Sequence, residues 1–157
     1  MNIEQLGLLG VFIGGAIPWF EAIAVVPAGI IFGLDPVLTV IFASVGNILT
    51  IAVFAYGGGA IRKWIISRRV AKGKEAESPK FAKALKAFDK YGIYGMAALG
   101  PILIGTQFAA AASVAAGVKP FKVTVLISVA MVIWAAVIAW VVVALGISVF
   151  EGQILSQ

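Results

Sequence analysis

The chain has 157 residues, of which 62% are hydrophobic and only 12% charged. A soluble domain is about 45–50% apolar and about 25% charged, and a fold this small leaves much of its surface wet. The surplus therefore implies lipid rather than water as the solvent for most of the chain, and disfavours a very apolar soluble protein. Cysteine and histidine are absent, which excludes a disulfide framework, thiolate chemistry, the usual zinc sites and a histidine proton relay.

The first residues, Met1-Asn2-Ile3-Glu4, carry no basic n-region, so a cleaved signal peptide is not expected. Ile3–Leu34 is apolar but interrupted by Gly14-Gly15-Ala16-Ile17-Pro18, then by Glu21 and Pro27. Proline removes a backbone donor and clashes with the preceding turn. The arms on either side are about 12–15 residues, roughly 18–22 Å of helix, too short for a hydrocarbon core of about 30 Å. Residues 1–34 are therefore expected to form a re-entrant hairpin, entering and leaving on one side, with protein or a water-filled cavity covering its backbone. Residues 36–61 carry no charge before Arg62 and no proline after Pro36. They read as a transmembrane helix.

Residues 62–90 hold ten of the twelve Lys and Arg, which places this segment in the cytoplasm. Within it, Ser78-Pro79 reads as a helix N-cap followed by proline at the first helical position. Phe81, Leu85 and Phe88 then share one face, with Lys80, Lys83, Lys86 and Lys90 around it. That pattern suits an amphipathic helix on anionic lipid, or equally a solvated topology signal with no ligand. A basic patch set between membrane segments does not indicate nucleic acid.

Residues 91–118 are uncharged but broken by Gly100-Pro101 and by Gly105-Thr106-Gln107, and read as a second re-entrant hairpin. Residues 121–150 read as the second transmembrane helix. With both hairpins in place every basic residue, Lys119 and Lys122 included, lies on the cytoplasmic side, and Glu4, Asp35 and Glu151 lie outside.

The halves of the chain are alike. Ala28–Pro36 lines up with Ala112–Pro120, each ending in Gly-x-charge-Pro before a long apolar helix, and Pro18 and Pro101 stand at nearly the same distance upstream. The expected fold is an all-α integral membrane protein of two inverted repeats, each a re-entrant helical hairpin plus a transmembrane helix. Broken helices meeting near mid-depth are a transporter architecture.

Glu21 is the leading candidate for chemistry. An ionisable group inside a membrane is expensive and faces a cavity or a partner. Burial favours its protonated form, which suits a group that takes up and releases a proton. The alternative is a carboxylate near a hairpin tip reaching interfacial water. Thr106 and Gln107 lie in the second break. If the repeats face each other, they approach Glu21, with Pro18 and Pro101 shaping the tips; otherwise they satisfy backbone groups freed at Gly105. Asn47, with Ser44 and Thr50 on the first transmembrane helix, is a further binding candidate or a bridge between helices. There is no Walker-type loop, dinucleotide fingerprint, nucleophile–base pair or metal-ligand spacing, so neither an enzyme nor a cofactor or metal is expected.

Gly15-Ala16-Ile17-Pro18 with the acid that follows, Gly33-Leu34-Asp35-Pro36, Gly46-Asn47, the basic segment, and Tyr91-Gly92-x-x-Gly95 before a proline-containing hairpin together resemble the small multi-drug export protein family over nearly the whole chain. That family is distantly similar to the DedA (VTT-domain) superfamily, for which the resemblance implies paired re-entrant hairpins and lipid or ion transport. Glu21 stands where those relatives carry an acid. Their second hairpin carries arginines, where this chain has Gly100 and Gln107. The resulting expectation is a small transporter of the cell inner or plasma membrane, coupled to a proton or monovalent ion through Glu21, surrounded by membrane lipid and working as a homodimer. Two alternatives are a four-span drug/proton antiporter using Glu21, and a non-transporting scaffold or assembly factor.

Overall fold

The computed structural model describes residues 3–18, 20–76 and 78–146. Glu151 and the last residues expected in the 121–150 helix, 147–150, lie outside the described residues. All regular structure among the described residues is α-helical, in the order α1 (Ile3–Ala16), α2 (Glu21–Ile31), α3 (Pro36–Ala71), α4 (Pro79–Leu103), α5 (Thr106–Ala115) and α6 (Pro120–Ala144). Among the described residues two helices are long and apolar enough to cross a membrane: Pro36–Ala60 within α3, and α6. Each of these apolar stretches is 25 residues, about 37 Å of helix.

The helix ends follow from local chemistry. Asp35 caps α3, its Oδ1 accepting from the Leu38 N–H at 2.8 Å, with Pro36 at the first helical position where its missing donor costs nothing. Ser78 caps α4 in the same way, its hydroxyl accepting from the Phe81 N–H at 3.2 Å. Gly33 (φ 84) and Gly117 (φ 95) adopt the left-handed conformation that closes a helix. At the first, Gly33 N–H donates to Ile30 O (2.9 Å) and Leu34 N–H to Gly29 O (3.1 Å); at the second, Gly117 N–H donates to Val114 O (2.9 Å) and Val118 N–H to Ser113 O (3.1 Å). The two turns are the same Schellman motif, and each is followed by a charged residue and a proline that starts the next long helix.

Two features differ from the sequence reading. α3 does not stop where its apolar run stops but continues through the basic residues to Ala71. Charge marks where water begins, whereas a helix ends only where its hydrogen-bond ladder is broken, here at Gly73 (φ 67). Conversely, Gly100-Pro101 does not break α4: Pro101 is buried inside the helix, and the interruption falls at Ile104–Gly105. α4 itself bends at Gly92 (φ 61, ψ −171), which separates an amphipathic segment, 79–91, from an arm, 93–103.

The chain forms two compact units. Unit 1 contains residues 1–49 and 131–157: the α1–α2 hairpin, the first part of α3 and the latter part of α6. Its core gathers Val11, Ala22, Val26, Ile30, Ala43, Met131 and Ala135. Unit 2, residues 50–130, contains the rest of α3, the α4–α5 hairpin and the start of α6, around Ile51, Phe81, Met96, Ala109, Val123 and Ile127. The amphipathic segment belongs to this core. Phe81 and Ala84 are buried, Leu85 and Phe88 pack against them, and Lys83, Lys86 and Lys90 point outward. The apolar face is thus covered by the protein itself.

Candidate functional site

The six residues singled out for binding divide between the units: Pro18, Glu21 and Asn47 belong to unit 1, and Pro101, Thr106 and Gln107 to unit 2.

In unit 1, α1 and α2 pack as a helical hairpin whose connection holds the half-buried Pro18. The Phe20 N–H donates to Ile17 O at 3.2 Å, closing the turn, and Glu21 opens α2. Its carboxyl-bearing side chain is only 7% exposed, with the fully buried Ala22 and Val26 on the same helix. Its φ is 46, the only positive φ outside glycine among the described residues. A left-handed backbone costs an L-residue about 1–2 kcal/mol and persists where the surroundings over-determine it, which is a recurrent property of functional positions. Pro27 lies inside α2 without ending it.

The backbone beside this hairpin is packed closely. A β-carbon on Gly15 would collide with the Ala43 carbonyl oxygen, and one on Gly46 with the Phe12 carbonyl oxygen. α1 and α3 are therefore in backbone contact, as small residues allow in apolar surroundings. Asn47, beside Gly46, is fully buried, and Ser44 is nearly so.

In unit 2, α4 and α5 form the corresponding hairpin. Its tip is tight: the Ile104 and Gly105 N–H groups both donate to Gly100 O, at 3.1 and 2.8 Å, and Gly105 has φ 101. Gly100 is the small residue that lets the arms meet, since a β-carbon there would lie 2.8 Å from Ala109 Cβ. Thr106 (0% exposed) and Gln107 (1%) follow the tip and are buried. Gln107 Nε2 donates to Thr50 Oγ1 at 3.5 Å, a long contact that ties α5 to α3. Gly105 precedes Gly117 by the same number of residues as Glu21 precedes Gly33. Both interrupted stretches thus place a left-handed residue at the same step before a Schellman glycine, and only one of the two carries a charge.

Sequence reasoning did not single out Thr39, Ser113 and Ser128. All three are buried, and their hydroxyls, like that of Ser44, have no hydrogen-bond partner among the described residues. The signal was available for Ser113, which stands two helical turns after Thr106 on the same face of α5. Among the described residues no group of acidic, histidine or cysteine side chains is placed to hold a metal ion.

Comparison with protein-family models, with curated proteins and with solved structures finds no match for this chain.

Proposed function

We propose that the protein is embedded in a membrane and moves a small or lipid-like solute across it, coupled to a proton or monovalent ion at Glu21. The observation that carries this reading is a carboxyl-bearing residue held buried, in a strained backbone conformation, at the break between two short apolar helices. Burying an ionisable group is expensive and a left-handed conformation is strained, and both costs are characteristically retained at functional positions.

The membrane setting is supported by the two long apolar helices and by the many large apolar side chains left on the surface, such as Phe121 and Trp140, each 71% exposed. A re-entrant path for both hairpins is supported by arm length. α1, α2 and α5 have 14, 11 and 10 residues, about 21, 16 and 15 Å, against about 30 Å of hydrocarbon. The inverted-repeat reading is supported by the shared turn geometry and by the make-up of each unit, which joins a hairpin to the first part of the long helix that follows it and the latter part of the other. The breaks at Glu21 and Gly105 count against four plain spans. Membership of the small multi-drug export family, a DedA-like relationship and a homodimer belong to the same proposal.

The deciding experiment is flux into liposomes containing the purified chain, driven by a pH gradient and read with a panel of lipophilic cations. Wild type is expected to accumulate at least one of them in a pH-dependent manner, and Glu21→Gln to abolish that dependence. Intact pH-dependent flux in the Gln variant would overturn the coupling role. A wild type inert to every gradient would favour the scaffold.

A further inference from the structure

Unit 2 contains a second feature that the transport reading does not use, the elbow of α4 at Gly92. In an unbroken helix residues four apart keep their β-carbons about 5–6 Å apart. Here a β-carbon on Gly95 would collide with Tyr91 Cβ, so the bend lays the Tyr91 side chain across Gly95. Both glycines are needed for this, Gly92 for its φ of 61 and Gly95 for its missing side chain.

The tyrosines on either side of the bend each carry a lysine. Lys90 Nζ stands 5.0 Å from the centre of the Tyr91 ring, and Lys122 Nζ, from the first turn of α6, stands 5.3 Å from that of Tyr94. At these distances an aromatic face attracts an ammonium. Tyr91 is 44% exposed and Tyr94 68%, and both lysines are exposed. Lys119 and Asp89 are exposed beside them, so three lysines stand against one aspartate and the patch is cationic. Tyrosine joins an apolar ring to a polar tip, and lysine an apolar stem to a charged head, which suits both to the level where lipid headgroups meet their chains. The chain's own pattern puts the elbow at such a level. The charged segment 79–91 precedes it and the uncharged arm 93–103 follows, while α6 turns from Lys119 and Lys122 to an uncharged run.

We infer that the elbow is a docking surface for anionic phospholipid, with Lys90 and Lys122 meeting the phosphates and Tyr91 and Tyr94 lying at the glycerol level. The aromatic contacts are part of this surface: a ring face takes one side of each ammonium and restrains its flexible stem, and the phosphate approaches from the other. Charge complementarity selects an anionic over a zwitterionic headgroup, and the rings select an amphiphile over a soluble anion. The inference rests on the membrane reading but not on Glu21 or on transport. Lys83 and Lys86, which point outward from the segment before the bend, attract anionic lipid only diffusely.

The test uses the full chain purified in mild detergent, with bound lipid counted by native mass spectrometry. Phosphatidylglycerol and phosphatidylcholine of matched chains are compared. Wild type is expected to prefer phosphatidylglycerol by about tenfold or more. Lys90→Gln with Lys122→Gln erases the preference. Tyr91→Leu with Tyr94→Leu, which leaves every charge in place, lowers it by about threefold or more. Lys83→Gln with Lys86→Gln, which removes the same charge away from the elbow, leaves it unchanged. Equal retention of the two lipids by wild type overturns the proposal. So does an equal loss in the Lys83/Lys86 variant, an undiminished preference in the tyrosine variant, or displacement by millimolar inorganic phosphate, which would mark a free-anion site. Carbonate extraction of membranes from expressing cells tests the membrane reading separately, without reference to lipid choice.

Discussion

Glu21 carries two separable costs, a carboxyl taken out of water and a left-handed backbone. Alanine and glycine at this position both delete the carboxyl and differ only in tolerance of φ 46. Glu21→Gly is therefore expected to be more stable than Glu21→Ala by about 1 kcal/mol, measured by denaturant unfolding in detergent, while neither supports pH-dependent flux. Equal stability would show that the backbone relaxes once the side chain is gone. The glycines of the same chain supply a second contrast. At Gly46 any side chain meets the Phe12 backbone, which cannot swing aside as a side chain can. Gly46→Val should cost about 1–3 kcal/mol through overpacking. Gly59→Ala, facing open space, should be neutral or stabilising by up to about 1 kcal/mol, as expected when glycine leaves a helix. Comparing the two melting transitions checks both predictions.

At the scale of elements, α4 shows how far pattern reading reaches. Its start was legible because Ser78-Pro79 is a capping pair with a local mechanism, and the spacing of Phe81, Leu85 and Phe88 showed that they share one face; that this face packs on the protein's own core rather than on lipid was not legible, because periodicity marks an apolar face without saying what covers it. The elbow at Gly92 (φ 61, ψ −171) was not legible either, because Tyr91-Gly92 is compatible with an unbroken helix and no local pattern announces the bend. Gly92→Ala is expected to cost about 1–3 kcal/mol, since this region of backbone space is nearly closed to other residues. Ser78→Ala should cost about 1 kcal/mol through the lost cap. Equilibrium unfolding of the two variants distinguishes these costs. Prolines were over-read in the same way. Pro27 and Pro101 lie within helices, because a short apolar helix survives the loss of one hydrogen bond, and the chain reverses instead at a left-handed Glu21 and Gly105. The hand-over from α3 to the turn at Gly73 was visible in principle, as a glycine after a run of good helix formers, but a change from apolar to charged residues is the louder signal and answers a different question.

For the whole molecule, the all-helical class and the two long apolar helices could be read directly from composition and run length. The pairing of Gln107 with Thr50 could not, since nothing local links residues so far apart. Orientation is testable because the native chain has no cysteine, so single introduced thiols report without background. If the α4–α5 hairpin enters and leaves on one side, Gly73→Cys and Lys119→Cys will both react with an impermeant maleimide from the cytoplasmic side only. Labelling of the second from outside would mean that the hairpin crosses.

α3 offers one more use. It stays helical from Pro36 to Ala71, so the turn at Gly73 rides on a continuous rod that outlasts its apolar part by 11 residues (61–71), about 16 Å. A protein of 16.3 kDa is too small to align in electron micrographs once wrapped in detergent. A rigid soluble domain spliced in at Gly73, as a direct extension of that rod, would give the particle an outline recognisable from every view.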